Sequence, residues 1–199
     1  MNDIIEIENF ISKDYQDFIY NQVIGLKFPW YFNPTLVSNE DKLVGYNSNI
    51  QGFNHFLFEE NNKVSPFFDS LYPLVLGITE KSGVKFNTVE RMRFNLTYPD
   101  KSTPEGEWHL PHIDSSYPHY NAIYYVNDSD GDTVIFEEKN LEYSEDMDYI
   151  SSHKFTVKKR ITPKKGKLLI FPGYYYHASS YARAGKFRCV LNINLGKLL

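Results

Sequence analysis

From residue 86 onward the chain alternates apolar and polar positions between closely spaced glycine turn signals, and such a chain buries itself only as sheet against sheet. Met92, Phe94, Leu96 and Tyr98 alternate with Arg93, Asn95 and Thr97, the period of a strand with one buried face. Segments 120–127, 132–137, 153–161, 167–171 and 187–195 also read as strands. Asp130-Gly131, Lys165-Gly166 and Pro172-Gly173 punctuate them. The expected class is mainly β with some helix (α+β), as a jelly roll or double-sheet barrel.

The first 85 residues differ. Ile5 and Ile7 alternate with Glu6 and Glu8 as a short strand, and Ser12 caps a predicted helix carrying Tyr15, Phe18, Ile19 and Val23. Ser65-Pro66 opens a second helix with Phe68, Leu71, Tyr72, Val75 and Ile78 on one face, kinked at Pro73 and closed by Gly83. Between them, residues 25–64 mix Pro29, Pro34, Gly45 and Gly52 with Phe28, Trp30, Tyr31 and Phe32, without a sustained period. They read as long loops with short strands, the aromatics of 28–32 forming a lid over the barrel's pocket. With no repeat or linker, residues 1–199 read as one domain: strand, helices and lid loops over 1–85, and a jelly-roll core over 86–199, with the helices on one sheet.

Composition narrows the function. Of 199 residues 42% are hydrophobic and 17% aromatic, which excludes general disorder. The 21 basic and 25 acidic side chains give a net charge of −4, so nothing draws the whole molecule to nucleic acid or anionic lipid. Cys189 is the single cysteine and cannot form an intramolecular disulfide, and there is no apolar run of about 18 residues to span a bilayer. Met1-Asn2-Asp3-Ile4 opens without a basic, then apolar, leader, so a cytoplasmic location is expected. The acidic stretch 128–148 and the basic stretch 154–167 read as neighbouring strands of opposite charge. Asp128-Ser129-Asp130-Gly131-Asp132 would place Thr133 and Lys139 where a calcium loop needs Gly and Glu, so it reads as a hairpin turn.

The chemistry concentrates in Trp108-His109-Leu110-Pro111-His112-Ile113-Asp114. In an extended segment residues two apart point the same way, so His112 and Asp114 converge. His177, just beyond the strand 167–171 and the turn Pro172-Gly173, can complete a set of two imidazoles and one carboxylate. Such a facial triad suits non-haem Fe(II) and leaves positions open for other ligands. Arg188 begins a strand on which Val190, Asn192 and Asn194 share its face, lining a pocket with polar groups. Its planar fork matches a carboxylate, with Arg183 in the preceding loop as the competitor. His109 and His119 flank the motif, and His109, three residues before His112, need not share its direction on an extended segment, while His55 and His153 read as surface residues.

His112-x-Asp114, His177 and Gly185-Lys186-Phe187-Arg188 resemble the signature of Fe(II)/2-oxoglutarate-dependent oxygenases, the prolyl 4-hydroxylase-like branch above all. Tyr125-Val126-Asn127 with Asp130-Gly131-Asp132-Thr133 is similar to that family's Tyr-Leu-Asn and Gly-Gly-Glu-Thr hairpin, and Lys167-Leu168-Leu169-Ile170-Phe171-Pro172 to its strand before the distal His. The likeness is dense over 90–196 and looser over 4–23. Asp130 stands where a Gly is usual, and one extra residue separates Gly185 from Arg188.

The resemblance implies a double-stranded β-helix (cupin-like) core and a hydroxylase that uses Fe(II), 2-oxoglutarate and O2, with ascorbate as a reductant, and releases succinate and CO2. Arg188, with a hydroxyl of Tyr98 or Tyr124 and with Asn192, is implied to bind the 2-oxoglutarate 5-carboxylate. Asp114 points to hydroxylation, because halogenating relatives replace that carboxylate. A peptidyl (prolyl-type) or amino-acid substrate is implied, with other small molecules compatible and nucleic acid not, in a monomer or homodimer. A non-catalytic metal-binding jelly roll and a structural β-sandwich are the competing readings.

Overall fold

Ser12 Oγ accepts from Tyr15 N at 3.4 Å and starts the first helix where the sequence places a cap. In this computed structural model residues 3–34, 36, 51–100, 106–144, 147–184 and 187–196 are described. Gly45 and Gly185-Lys186 lie outside them, as does most of 35–50. The elements run β1 (Ile5–Ile7), α1 (Lys13–Val23), β2 (Tyr31–Asn33), β3 (Gly52–Glu59), β4 (Asn62–Lys63), α2 (Phe68–Leu71) and α3 (Pro73–Ser82). Then follow β5 (Thr88–Thr97), β6 (His119–Tyr125), β7 (Thr133–Lys139), α4 (Met147–Ser152), β8 (Val157–Ile161), β9 (Leu168–Pro172), β10 (Tyr175–Ser179) and β11 (Arg188–Gly196). Proline has no N–H to give a helix interior, so the expected kink at Pro73 is a break, with Pro73 opening α3. Gly83 closes α3 at φ +74°, a left-handed turn that a side chain would strain.

The strands form two antiparallel sheets. One has eight strands in the order β1-β9-β6-β11-β5-β3-β2, with β4 on β3, and the other three in the order β10-β7-β8. The alternation of β5 and β11 divides the large sheet by face. Met92, Phe94, Leu96, Cys189, Leu191, Ile193 and Leu195 pack under the helices with Ile19, Val23, Leu74 and Ile78. Between the sheets lie Ile123, Tyr125, Leu169, Phe171 and Val190, facing Ile135 and Tyr175. Each fully buried Leu, Ile or Phe contributes about 1.5–3 kcal/mol, so the face that sends Arg91, Arg93, Asn95 and Thr97 inward is stabilised by its opposite face. The two early helices pack on one sheet, as expected.

Four expectations are corrected. Residues 52–59 form an eight-residue strand paired with β5, and a register shift between Phe56 and Phe58 breaks the period that would have announced it. Phe28 is core, edge-on to Phe94 at 5.7 Å, and Trp30 packs beside it and donates to Val23 O. Neither belongs to a lid; Tyr31 and Phe32 are exposed on the sheet-edge strand β2. The turn after Asn127 is not a hairpin: β6 belongs to the large sheet and β7 to the small one, so the chain crosses between them. Within 153–161 only 157–161 is strand, preceded by α4. The opposite charges of the neighbouring strands do meet, Lys158 on Glu137 at 2.9 Å and Arg160 on Asp132 at 3.7 Å.

Candidate metal centre

Residues 108–112 run along β10 through two backbone bridges, Trp108 with Ser180 and His112 with His177. At the second bridge each residue donates its N–H to the other's carbonyl at 3.0 Å, and the two imidazoles lie 4.5 Å apart. His112 Nδ1 is 3.0 Å from Leu110 O and His177 Nδ1 is 3.3 Å from Tyr175 O. A carbonyl only accepts, so both Nδ1 atoms carry a proton and Nε2 is the ring nitrogen left to bind a metal. Asp114 Oδ1 is 3.8 Å from His112 Nε2, and Asp114 Oδ2 is 3.7 Å from His177 Nε2. One ligand atom from each of the three residues lies within 4.8 Å of the others. Two imidazoles and one carboxylate on one side fit an octahedral Fe(II).

The carboxylate is held from behind by the large sheet. Asp114 Oδ1 accepts from Arg91 Nη2 and Oδ2 from Asn194 Nδ2, both at 3.1 Å, while Arg91 Nε donates to Asn194 Oδ1 at 2.9 Å. Burial disfavours the charged carboxylate, but Arg91, the two histidines and Asn194 outweigh it and keep Asp114 ionised far below the ordinary range. Burial, reinforced by His112, pushes His177 down to about 3, so it is neutral and ready to bind a metal. Arg91 and Asn194 escaped the sequence reading as supports, although strand parity put them on the pocket face.

His112 and His177 open onto a solvent-connected pocket, whose walls include Arg93, Asn95, Thr97, Ile123, Thr133, Arg188 and Asn192. Arg188 is 6% exposed, with Nε on Gly131 O and Nη2 on Thr133 Oγ1, both at 2.9 Å. Asn192 lines the pocket as expected. Tyr98 and Tyr124 do not, and the expectation of a hydroxyl from either is corrected. Tyr98 follows the outward parity of Met92, Phe94 and Leu96 and is 62% exposed against Phe53, while Tyr124 is buried in the cluster under the helices. The phenol in the network beside Arg188 is that of Tyr125, whose hydroxyl donates to Thr133 Oγ1 at 2.7 Å. Arg183 sits in the loop after β10, its N–H on the Asp130 carboxylate. Asp130 thus caps that loop, a use for a carboxylate where a Gly is usual. His109 and His119 lie outside the triad, and His153 contacts Glu138 at 3.3 Å. His55 is buried, not at the surface, between Pro29 O at 2.8 Å and Ser65 Oγ at 2.7 Å. No helix among the described residues is long and apolar enough to cross a membrane.

No protein-family model and no curated protein matches the chain. Solved structures do. A Pseudomonas putida prolyl-4-hydroxylase is similar at 14% identity and TM-score 0.55, over 98% of this chain and 93% of that one. A 2OG-Fe(II) oxygenase-family oxidoreductase from Burkholderia pseudomallei is similar at 11% identity and TM-score 0.65, over 98% and 85%. A Trichoplax adhaerens prolyl hydroxylase, solved with a hypoxia-inducible-factor peptide, is similar at 14% identity and TM-score 0.61, over 99% and 84%. Two facing sheets with the His-Asp-His cluster at their margin give this chain the double-stranded β-helix fold of the 2OG-Fe(II) oxygenases.

Proposed function

We propose that this chain is an Fe(II)- and 2-oxoglutarate-dependent dioxygenase that hydroxylates an unactivated C–H bond of a peptidyl (prolyl-type) or amino-acid substrate. The observation that carries the reading is the convergence of His112, Asp114 and His177 within 4.8 Å on the pocket that Arg188 also lines. Bound there, iron with 2-oxoglutarate and O2 supplies the oxidising power, with succinate and CO2 as co-products.

The chain's own contribution is positioning. The two Nε2 lone pairs and the Asp114 carboxylate hold the metal, with Nδ1 bonds fixing the rings and Arg91 and Asn194 fixing the carboxylate. Arg188 grips the 5-carboxylate of 2-oxoglutarate through the guanidinium hydrogens left over from Gly131 and Thr133, with the Thr133 and Tyr125 hydroxyls beside it. Ile123 and Ala178 supply apolar wall around the carbon chain. The proposal takes the chain as one catalytic domain acting in the cytoplasm, as monomer or homodimer.

Anaerobic addition of Fe(II) and then 2-oxoglutarate tests it. A visible charge-transfer absorption is expected, abolished by His112→Ala or Asp114→Ala. Metal binding without that absorption, or without succinate formation in air, would leave a non-catalytic metal-binding jelly roll.

A further inference from the structure

Arg93 is a cation the chemistry above does not use. It sits in the middle of β5, opposite Asn192 of β11, and faces the pocket. Its Nε is buried and has no hydrogen-bond partner among the described residues, and neither has Asn95 Oδ1 or Asn192 Oδ1, two neighbours on the same wall. Asp114 and Glu59 are the carboxylates that act on it, and neither forms an ion pair with it. Among the described residues its close favourable contact is the Phe56 ring, 5.3 Å from the guanidinium carbon. Burial, with Arg91 nearby, pushes its pKa down to about 10, so it stays charged at neutral pH.

A guanidinium whose Nε is buried without a partner carries a cost, and an anion that enters the cavity beside it can meet that cost. Arg188 is answered by the distal carboxylate of 2-oxoglutarate and Arg91 by Asp114, while Arg93 is answered by nothing among the described residues. The described walls of this pocket carry two guanidiniums and no carboxylate. A guanidinium presents two parallel N–H groups that match a carboxylate, and a carboxamide turns its NH2 toward an anion as readily as its oxygen toward a donor. We infer that Arg93, with Asn95 and Asn192, binds a carboxylate of the primary substrate, which makes that substrate a small carboxylic acid such as a free amino acid and not the interior of a peptide. The inference rests on the proposed oxygenase reading and narrows its substrate class.

The test is calorimetry on the protein loaded with Mn(II) and 2-oxoglutarate, titrated with the proteinogenic amino acids and with short mono- and dicarboxylic acids, each beside its primary amide. At least one acid is expected to bind, its amide at least tenfold more weakly. Arg93→Gln should remove that tenfold preference by weakening the acid and leaving the amide unchanged. Without ligand the variant should unfold at the same or a higher temperature, because it loses an uncompensated charge. Binding of no acid, equal weakening of acid and amide, or a fall of several degrees in unfolding temperature would overturn the assignment. So would a phosphomonoester binding in place of every acid. Absence of the Fe(II)–2-oxoglutarate absorption in the unsubstituted protein is the failure of the oxygenase reading itself. If the absorption is present, any of those results counts against the Arg93 assignment alone.

Discussion

Asn194 Nδ2 stands 3.1 Å from Asp114 Oδ2, so a carboxamide of β11 fixes one oxygen of the carboxylate in the metal cluster. The same amide nitrogen donates to Asn121 Oδ1 at 2.7 Å, which locks its rotamer. Asn194→Ala keeps all three metal-binding side chains and removes one of the hydrogen bonds that align Asp114, together with the partner of Arg91 Nε and Asn121 Oδ1. Metal affinity, measured by calorimetry with Mn(II), should fall about 10- to 100-fold, and the fold should persist.

Arg188→Lys keeps the positive charge but loses the fork that reaches both Gly131 O and Thr133 Oγ1. The 2-oxoglutarate concentration that half-saturates the anaerobic absorption should rise by roughly tenfold or more, while Fe(II) affinity without 2-oxoglutarate stays the same. An equal loss of both would place Arg188 in the metal site itself.

The three tyrosines separate cleanly. Tyr125→Phe removes the bond to Thr133 beside Arg188 and should cost about 1 kcal/mol of stability as well as weaken 2-oxoglutarate binding. Tyr98→Phe should leave 2-oxoglutarate binding unaltered. The Tyr124 hydroxyl is buried without a partner among the described residues, so Tyr124→Phe should leave stability equal or slightly higher by thermal unfolding.

The metal-free protein should lose stability below neutrality. Burial, first of all, lowers His109 and His177 from 6.5 to about 3, and burial also lowers His55. The unfolded chain therefore binds more protons than the folded one in this range. The contribution of His109 and His177 is complete above about pH 6.5 and declines as pH falls toward 3, by up to about 1.4 kcal/mol per pH unit for each of the two, and His55 acts in the same direction. Thermal unfolding with chelator between pH 7 and 5 isolates the effect from the carboxylates, and His109→Gln should reduce the slope.

His112, Asp114 and His177 were legible because strand geometry and turn signals fix where such residues meet. Arg188, Asn192 and Asn194 were placed on one face by parity alone, and they share it. Parity also held the answer for Tyr98, which shares the odd-even class of the buried Met92, Phe94 and Leu96. On β6 both faces are buried, so no polar alternation distinguishes Tyr124 from Tyr125. Arg93 was read only as one of the polar residues alternating along its strand and Arg91 was not singled out, and which of them meets Asp114 depends on how 108–114 folds across the sheet, a long-range fact that no local pattern carries. The strand β3 stayed hidden because its register shift cancels the period by which strands are read.

Asp114 is tethered through Arg91 and Asn194 to the eight-stranded sheet, whereas His177 belongs to the three-stranded one and His112 is bridged to it. An ion accepted by all three is a rivet through both leaves of the sandwich. Prying the leaves apart beside the pocket then stretches the coordination shell, so losing the ion and springing the mouth open become a single event.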